Sequence, residues 1–394
     1  MIGGMELDSV RLGRGTGPLK GVKVVELAGI GPGPHACTIL ADLGADVIRI
    51  DRPGGPSLGG GSLDLTNRGR PSVALDLKEP RAVETVLRLV EDADMLVEGL
   101  RPGATERLGL GPEDCLARNP RLVYGRMTGW GQGGPLAQSA GHDMTYIATA
   151  GALFGLGQDP ARPHFPMNLL GDFGGGSTYL VIGLLAALLE ARVSGRGQVV
   201  DAAIVDGAAH LQTMAYGHLA SGIMHERRAA GLLDGGMPFY DVYETADRRH
   251  LAVGPIEPQF WATMAELLAP YAVSELPGQN DLARHGELKK ILTETFLTKT
   301  MAEWAAIFEG TDACVAPVLT MTEAAEHPHL KARGTLVEKD GVLQPAPAPR
   351  FSRTTPTLTT PPPAIAGQDT RAALAAWGID DVDDLIEAGV AVQS

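Results

Sequence analysis

The stretch "GVKVVELAGIGPGPHACTILADLGADVIRID", residues 21–51, decides the fold. "GVKVVELAG" has the β-branched content of a strand, "PHACTILADLG" carries apolar residues at helical spacing and stops on a glycine, and "ADVIRID" is strand-like again. This is a β-α-β unit. The pattern continues through "PSVALDLK" as a strand, "EPRAVETVLRLVEDAD" as a helix, and "MLVEGLRPG" and "RLVYGRMTGW" as strands. The first ~130 residues therefore read as an open, mostly parallel sheet covered by helices.

Ligands of such sheets sit at the carboxyl ends of the strands. Arg52, Lys78, Arg101 and Arg126 fall there, four cations suited to a ligand phosphate. A dinucleotide is the obvious candidate, because Asp51 ends the second strand where a ribose-binding acid belongs. The glycines argue against it. "GIGPGP" supplies Gly29, Gly31 and Gly33, but the third glycine of G-x-G-x-x-G would fall at Pro34, and proline at the helix start removes an N–H that would cradle pyrophosphate.

The 394 residues are 44% hydrophobic and 20% charged, enough for two domains with a sizeable core. A net charge of −14 repels phosphate backbones, so no nucleic-acid partner is expected. Cys37, Cys115 and Cys314 are widely spaced and odd in number, which suggests neither disulfides nor a zinc site and fits a cytoplasmic location. The first 17 residues lack the apolar run of a secretion signal and are expected to form a flexible arm. The apolar run "YLVIGLLAALL", residues 179–189, is short of the ~20 needed to cross a bilayer and reads as a buried core helix, so no membrane partner is expected.

Two acid-base candidates stand out. In "GHDMTYIATAGALFGLG", residues 141–157, His142 and Asp143 follow a glycine-rich loop and open an otherwise apolar helix. In "NLLGDFGGG", Asp172 is placed to cap or precede the long apolar helix, with Asn168 four residues earlier. Glycines 174–176 would let a ligand approach closely, and the helix start would keep Asp172 ionised and could stabilise an oxyanion. An imidazole and a carboxylate suit the movement of a proton on and off one carbon.

The ordered set "VVELAGIGPGPHACTILADLGADVIRIDRPG", "ALDLK", "EGLRPG", "ERLGLGPE", "GHDMTY", "NLLGDFGGG", "GRGQVVDA", "LDGGMPFYDVYETAD", "GPIEPQFW" and "GTDACVAPVL" resembles the α-methylacyl-CoA racemase branch of the type III coenzyme A transferase (CaiB/BaiF) family. The match runs from about residue 18 to about 355. It implies an α/β fold: a large Rossmann-like domain with an open parallel sheet and a smaller α+β domain, in a homodimer of interlocked chains. The domain plan is a flexible arm at 1–17, a large CoA-binding domain at 18–205, a linker helix at 206–236, a small domain at 237–330, and a return tether with C-terminal helices at 331–394.

The resemblance implies that His142 and Asp172 act on opposite faces of the α-carbon of a 2-methylacyl-CoA, with Glu257 supporting His142. It also implies that Arg52, Leu75, Asp76, Leu77, Lys78, Arg101, Gly141, Asp143, Met144, Thr145 and Tyr146 bind the coenzyme A thioester. No metal site, and no cofactor beyond the coenzyme A moiety of the substrate, is expected. Phe239, Val242 and Met144 depart from the family pattern and could alter the acyl pocket. The alternative within the family is a coenzyme A transferase, in which Asp172 attacks the thioester and His142 has no counterpart. A non-catalytic acyl-CoA-binding or regulatory protein would not need both residues, so their joint presence counts against it.

Overall fold

The computed structural model describes residues 10–55 and 61–394. The chain divides into two compact units. Unit 1 comprises residues 1–150, 167–211 and 333–394; unit 2 comprises 151–166 and 212–332.

Unit 1 is built on β1 (Lys23–Leu27), β2 (Asp46–Asp51), β3 (Ser72–Leu75), β4 (Met95–Glu98), β5 (Val123–Thr128) and β6 (Val199–Ala203). All pair in parallel, in the order β3-β2-β1-β4-β5-β6. This is the doubly wound order, with a crevice where the order reverses at β1. The helices are α1 (Pro32–Asp42), α2 (Pro80–Glu91), α3 (Ala104–Leu108), α4 (Pro112–Arg118), α5 (Asp143–Thr149), α6 (Thr178–Ser194) and α7 (Ile204–Leu211).

Strand residues alternate between two cores, because successive side chains leave opposite faces. Val25, Ile48 and Leu96 meet Val86, Leu89 and Val90 of α2 on one face. Val24, Val47 and Met95 meet Leu40 of α1 and Leu180, Leu184 and Leu188 of α6 on the other. Those α6 residues recur every four positions, which is one helical stripe. Its opposite side leaves Ile182, Leu189 and Val193 exposed, so the helix is half-buried rather than fully buried as its composition suggested. It also continues from Leu169 to Ser194, 26 residues with mean hydropathy 1.5, long and apolar enough by length and composition to cross a bilayer. The sequence reading saw only the uninterrupted apolar run and missed the glycine-rich turn that extends it.

Residues 1–9 of the expected arm lie outside the described residues. Residues 10–17 are not a loose arm: Val10 is buried in the α2-side core, and the Gly13 N–H donates to Asp46 Oδ1 at 2.8 Å. The C-terminal helices also differ from surface appendages. Leu374, Trp377 and Leu385 complete the same core, and Ala391–Val392 adds an antiparallel edge strand to β3. The tether carries a hairpin, Leu336–Lys339 paired with Val342–Pro345, that alternation of residue type did not reveal.

Unit 2 contains an antiparallel sheet of β7 (Asp241–Glu244), β8 (His250–Val253) and β9 (Val315–Pro317). Helices Pro258–Leu268, His285–Phe296 and Met301–Phe308 supply Met264, Leu292, Phe296 and fully buried Trp304 to a separate core with Tyr243 and Leu251.

Candidate active site

His142 stands immediately before α5 in extended backbone, at φ −138° and ψ 169°. Its N–H donates to Thr145 Oγ1 at 3.0 Å, and that hydroxyl donates to the His142 carbonyl at 2.7 Å. The reciprocal pair fixes the chain where it enters the helix. The imidazole itself is exposed.

Asp172 is held differently. From Leu169 to Ser177 the backbone runs as a π-helix before tightening into α6; the Phe173 N–H reaches the Asn168 carbonyl and the Thr178 N–H reaches that of Phe173. Such wide turns are rare and occur frequently at functional sites. Asp172 is therefore inside the first turn and caps nothing. The glycines that follow serve protein packing: a Cβ on Gly175 would lie 2.6 Å from the Ala208 backbone nitrogen of α7. The expectation that they admit a ligand is corrected, because the space they leave is already filled by protein: Leu169 and Leu211 at Gly174, the α7 backbone at Gly175, and Ile204 and Pro32 at Gly176.

The Asp172 N–H donates to Asp143 Oδ1 at 2.6 Å, and Asn168 Nδ2 donates to Asp172 Oδ2 at 3.3 Å. Burial pushes the Asp172 carboxyl above its usual range; the Asn168 hydrogen bond opposes this, the Asp143 charge adds to it and His142 opposes it. The helix start thus does not dominate, contrary to the expectation of a firmly ionised group. His142, Asp143 and Asp172 are brought together although 30 positions separate the outer two. Asp143 is only 7% exposed, and its Oδ2 is buried without a hydrogen-bond partner. Tyr146 closes the cluster, edge-on to Trp130 at 4.9 Å, its hydroxyl pKa raised by burial and further by Asp172.

The site opens on the crevice. Gly31, with φ +68°, forms the turn from β1 into α1, a conformation open to glycine and strained for other residues. A Cβ there would stand 3.4 Å from Asp172 Oδ2. Gly31 also lines a cleft of about 610 Å³ together with Arg52, Leu75, Asp76, Leu77 and Lys78. Arg52 and Lys78 are exposed cations, as a phosphate site requires. Arg101 is exposed just after Leu100, which lines the cleft; Gly141, Asp143, Met144, Thr145 and Tyr146 belong to the α5 end rather than to the cleft wall.

Arg126 is not available to a phosphate. It is 6% exposed, with Nε 2.8 Å from Glu98 Oε1 and Nη1 2.7 Å from Glu106 Oε1. Strand position alone placed it in the cation set, and its carboxylate partners come from β4 and α3. Asp51 likewise holds structure, accepting from Arg49 Nε at 3.1 Å and Ser72 Oγ at 2.6 Å. Sequence reasoning missed Asn67 and the tail residues 363–366, which complete the cleft wall. No motif marks them.

Glu257 lies in unit 2, exposed at the start of helix Pro258–Leu268. Burial, then the Glu257 charge, push the Cys314 thiol up. Among the described residues no group of three or more His, Cys, Asp or Glu could hold a metal ion.

Residues 19–370 match the family described as CoA-transferase family III. The chain belongs to CoA-transferase family III. It is 42% identical to the mouse alpha-methylacyl-CoA racemase over 93% of this chain and 95% of the relative. It is also 42% identical to the human alpha-methylacyl-CoA racemase, over 85% and 87%. The crystal structure of a CAIB/BAIF family protein from Brucella suis superimposes with a TM-score of 0.78 at 28% identity, covering 91% of this chain and 99% of that one. Family III membership accounts for the mixed α/β fold with its parallel-rich sheet.

Proposed function

We propose that this family III protein interconverts the (2R)- and (2S)-epimers of a 2-methylacyl-CoA, as the names of its mouse and human relatives indicate for those proteins. The observation that carries the reading is the His142–Asp172 pair: an exposed imidazole and a carboxyl whose pKa is raised by burial, beside a cleft bearing two cations.

One member of the pair removes the α-proton. The C–H electrons form the enolate double bond while the carbonyl pair moves onto oxygen. The other member then delivers a proton to the opposite face, and the centre is inverted. A carboxyl with a raised pKa serves here because its protonated form survives closer to neutral pH. The Thr145 and Tyr146 N–H groups already donate to the His142 carbonyl, so those of Asp143 and Met144 at the start of α5 supply the donors for the enolate oxygen. Arg52 and Lys78 hold coenzyme A phosphates. Glu257 is kept in the proposal as a supporting carboxylate, and no cofactor beyond the coenzyme A moiety takes part. A homodimer of interlocked chains and a cytoplasmic location belong to the same proposal; the exposed apolar side of α6 supports the dimer.

The test is incubation with each pure epimer of a 2-methylacyl-CoA in deuterated water. Deuterium at the α-carbon together with inversion is expected. Acyl transfer between coenzyme A and free carboxylates, with the α-hydrogen retained, would give the transferase reading instead.

A further inference from the structure

His35 lies at the start of α1, on the far side of the turn that carries Asp172, and it contacts that turn twice. Its ring stacks on Phe173, the residue after Asp172, with centroids 4.2 Å apart and planes 28° from parallel. Its Nδ1 is 2.7 Å from Ser177 Oγ. Ser177 in turn donates to the Phe173 carbonyl at 3.0 Å, and Thr178 Oγ1 donates to the same oxygen at 2.9 Å.

A serine hydroxyl has one hydrogen. With that hydrogen directed to Phe173, Ser177 can only accept from His35, so Nδ1 carries the proton. Burial, and then the nearby Arg68 and Arg70 cations, lower the His35 pKa. Both effects favour the neutral imidazole, and the Ser177–Phe173 hydrogen bond favours its Nδ1–H form. The relay His35 Nδ1–H to Ser177 O–H to Phe173 C=O fits the wide turn. In an α-helix the Phe173 carbonyl would take the Ser177 N–H; here it takes the Thr178 N–H and two hydroxyls. His35 thus holds both the ring and, through Ser177, the carbonyl of the residue next to Asp172.

We propose that His35 is a positioning residue for the acid-base group Asp172, locking the π-turn through its stack on Phe173 and its hydrogen bond to Ser177. The inference rests on the racemase reading for the role of Asp172, but the lock itself does not. His35 touches no part of the cleft, so its loss acts on the placement of one carboxyl rather than on binding. A displacement of about 1 Å in a catalytic group can lower a rate by about 100-fold.

The experiment compares His35→Phe, which keeps a stacking ring and loses the donor, with His35→Asn, whose amide can replace Nδ1–H. α-Hydrogen exchange is followed separately for each epimer. His35→Phe is expected to slow exchange on the Asp172 side about 10- to 100-fold, with the His142 side and KM within about twofold, and His35→Asn is expected to recover much of the loss. Equal slowing of both epimers, unchanged exchange, or no recovery in His35→Asn overturns the proposal. Absence of exchange in the wild type overturns the racemase reading instead. The lock is then judged by ¹⁵N-histidine NMR: a protonated Nδ1 on His35 whose resonance moves in Ser177→Ala supports it, and a proton on Nε2, or no response to Ser177→Ala, overturns it.

Discussion

The two proposed acid-base residues face the same reaction from different mechanical settings. His142 is exposed at an ordinary helix start, held by Thr145 through its backbone alone. Asp172 is half-buried in a π-turn, with its N–H bound to Asp143, its carboxylate to Asn168, and its neighbour Phe173 clamped by His35. The exposed partner is an imidazole. The other partner is a carboxyl whose acid form burial favours. The two residues thus meet the substrate from unequal environments.

The largest expected effects come from removing either side. His142→Ala and Asp172→Ala should each lower inversion about 10²- to 10⁴-fold. Each variant should still exchange the α-hydrogen of the epimer facing the surviving residue, without turning it over. Deuterium incorporation by mass spectrometry, with chiral analysis of each pure epimer, checks this. Equal loss for both epimers in both variants would erase the contrast and point to a single shared base.

A second pair of residues sharpens it at smaller scale. Arg52 is an exposed cation on the cleft, whereas Arg126 is buried between Glu98 and Glu106. Arg52→Ala should raise KM by about 10- to 150-fold, the equivalent of about 1.5–3 kcal/mol for a charged hydrogen bond, with kcat and Tm little changed. Arg126→Ala should instead lower Tm, since it leaves Glu98 buried without its cation, and should move KM less than Arg52→Ala. Steady-state kinetics and thermal unfolding of both variants decide it. A KM increase in Arg126→Ala that matches Arg52→Ala would return Arg126 to the phosphate site.

The smallest effect concerns stability. The Asp172 carboxyl has a raised pKa in the folded chain, so its ionised form is disfavoured by folding. Whatever stability the protonated group contributes is present below the unfolded carboxyl pKa and lost as pH rises through the folded one. Asp172→Asn should therefore lose inversion and be slightly more heat-stable than the wild type at pH 7. The gap should narrow as pH falls through the carboxylate range. Thermal melts from pH 4 to 8 measure it, and a gap that widens toward acid would contradict the burial argument.

How far each part was legible follows from the range of the forces involved. β1, α1 and β2 were readable because alternation and helical spacing are local consequences of which face is buried. An open, mostly parallel sheet became readable once the β-α-β pattern repeated, whereas the strand order came only from the structure. The short strand β9 and the hairpin at 336–345 were not, since strands of three or four residues carry too little pattern. Arg52 and Lys78 were recognised as cleft cations by their place after strands, and the same rule misassigned Arg126, because a strand end does not reveal which carboxylates will fold over it. Asn67 and residues 363–366 reach one cleft from distant parts of the chain.

By itself the sequence determined the chemical types at the site and the order of the large sheet's elements, because glycine, proline and hydrophobic periodicity act over a few residues. It also carried the family resemblance, through motifs spread in order along the chain. Only the tertiary structure decided which ionisable groups are free, which are paired and which have shifted pKa values. Asp172 reads from sequence as an acid-base candidate kept ionised by a helix start. It becomes a perturbed acid through Asp143, Asn168 and His142, together with exclusion of water by packing. Electrostatic environment depends on what stands within a few ångströms in space, and folding brings those neighbours from separate parts of the chain.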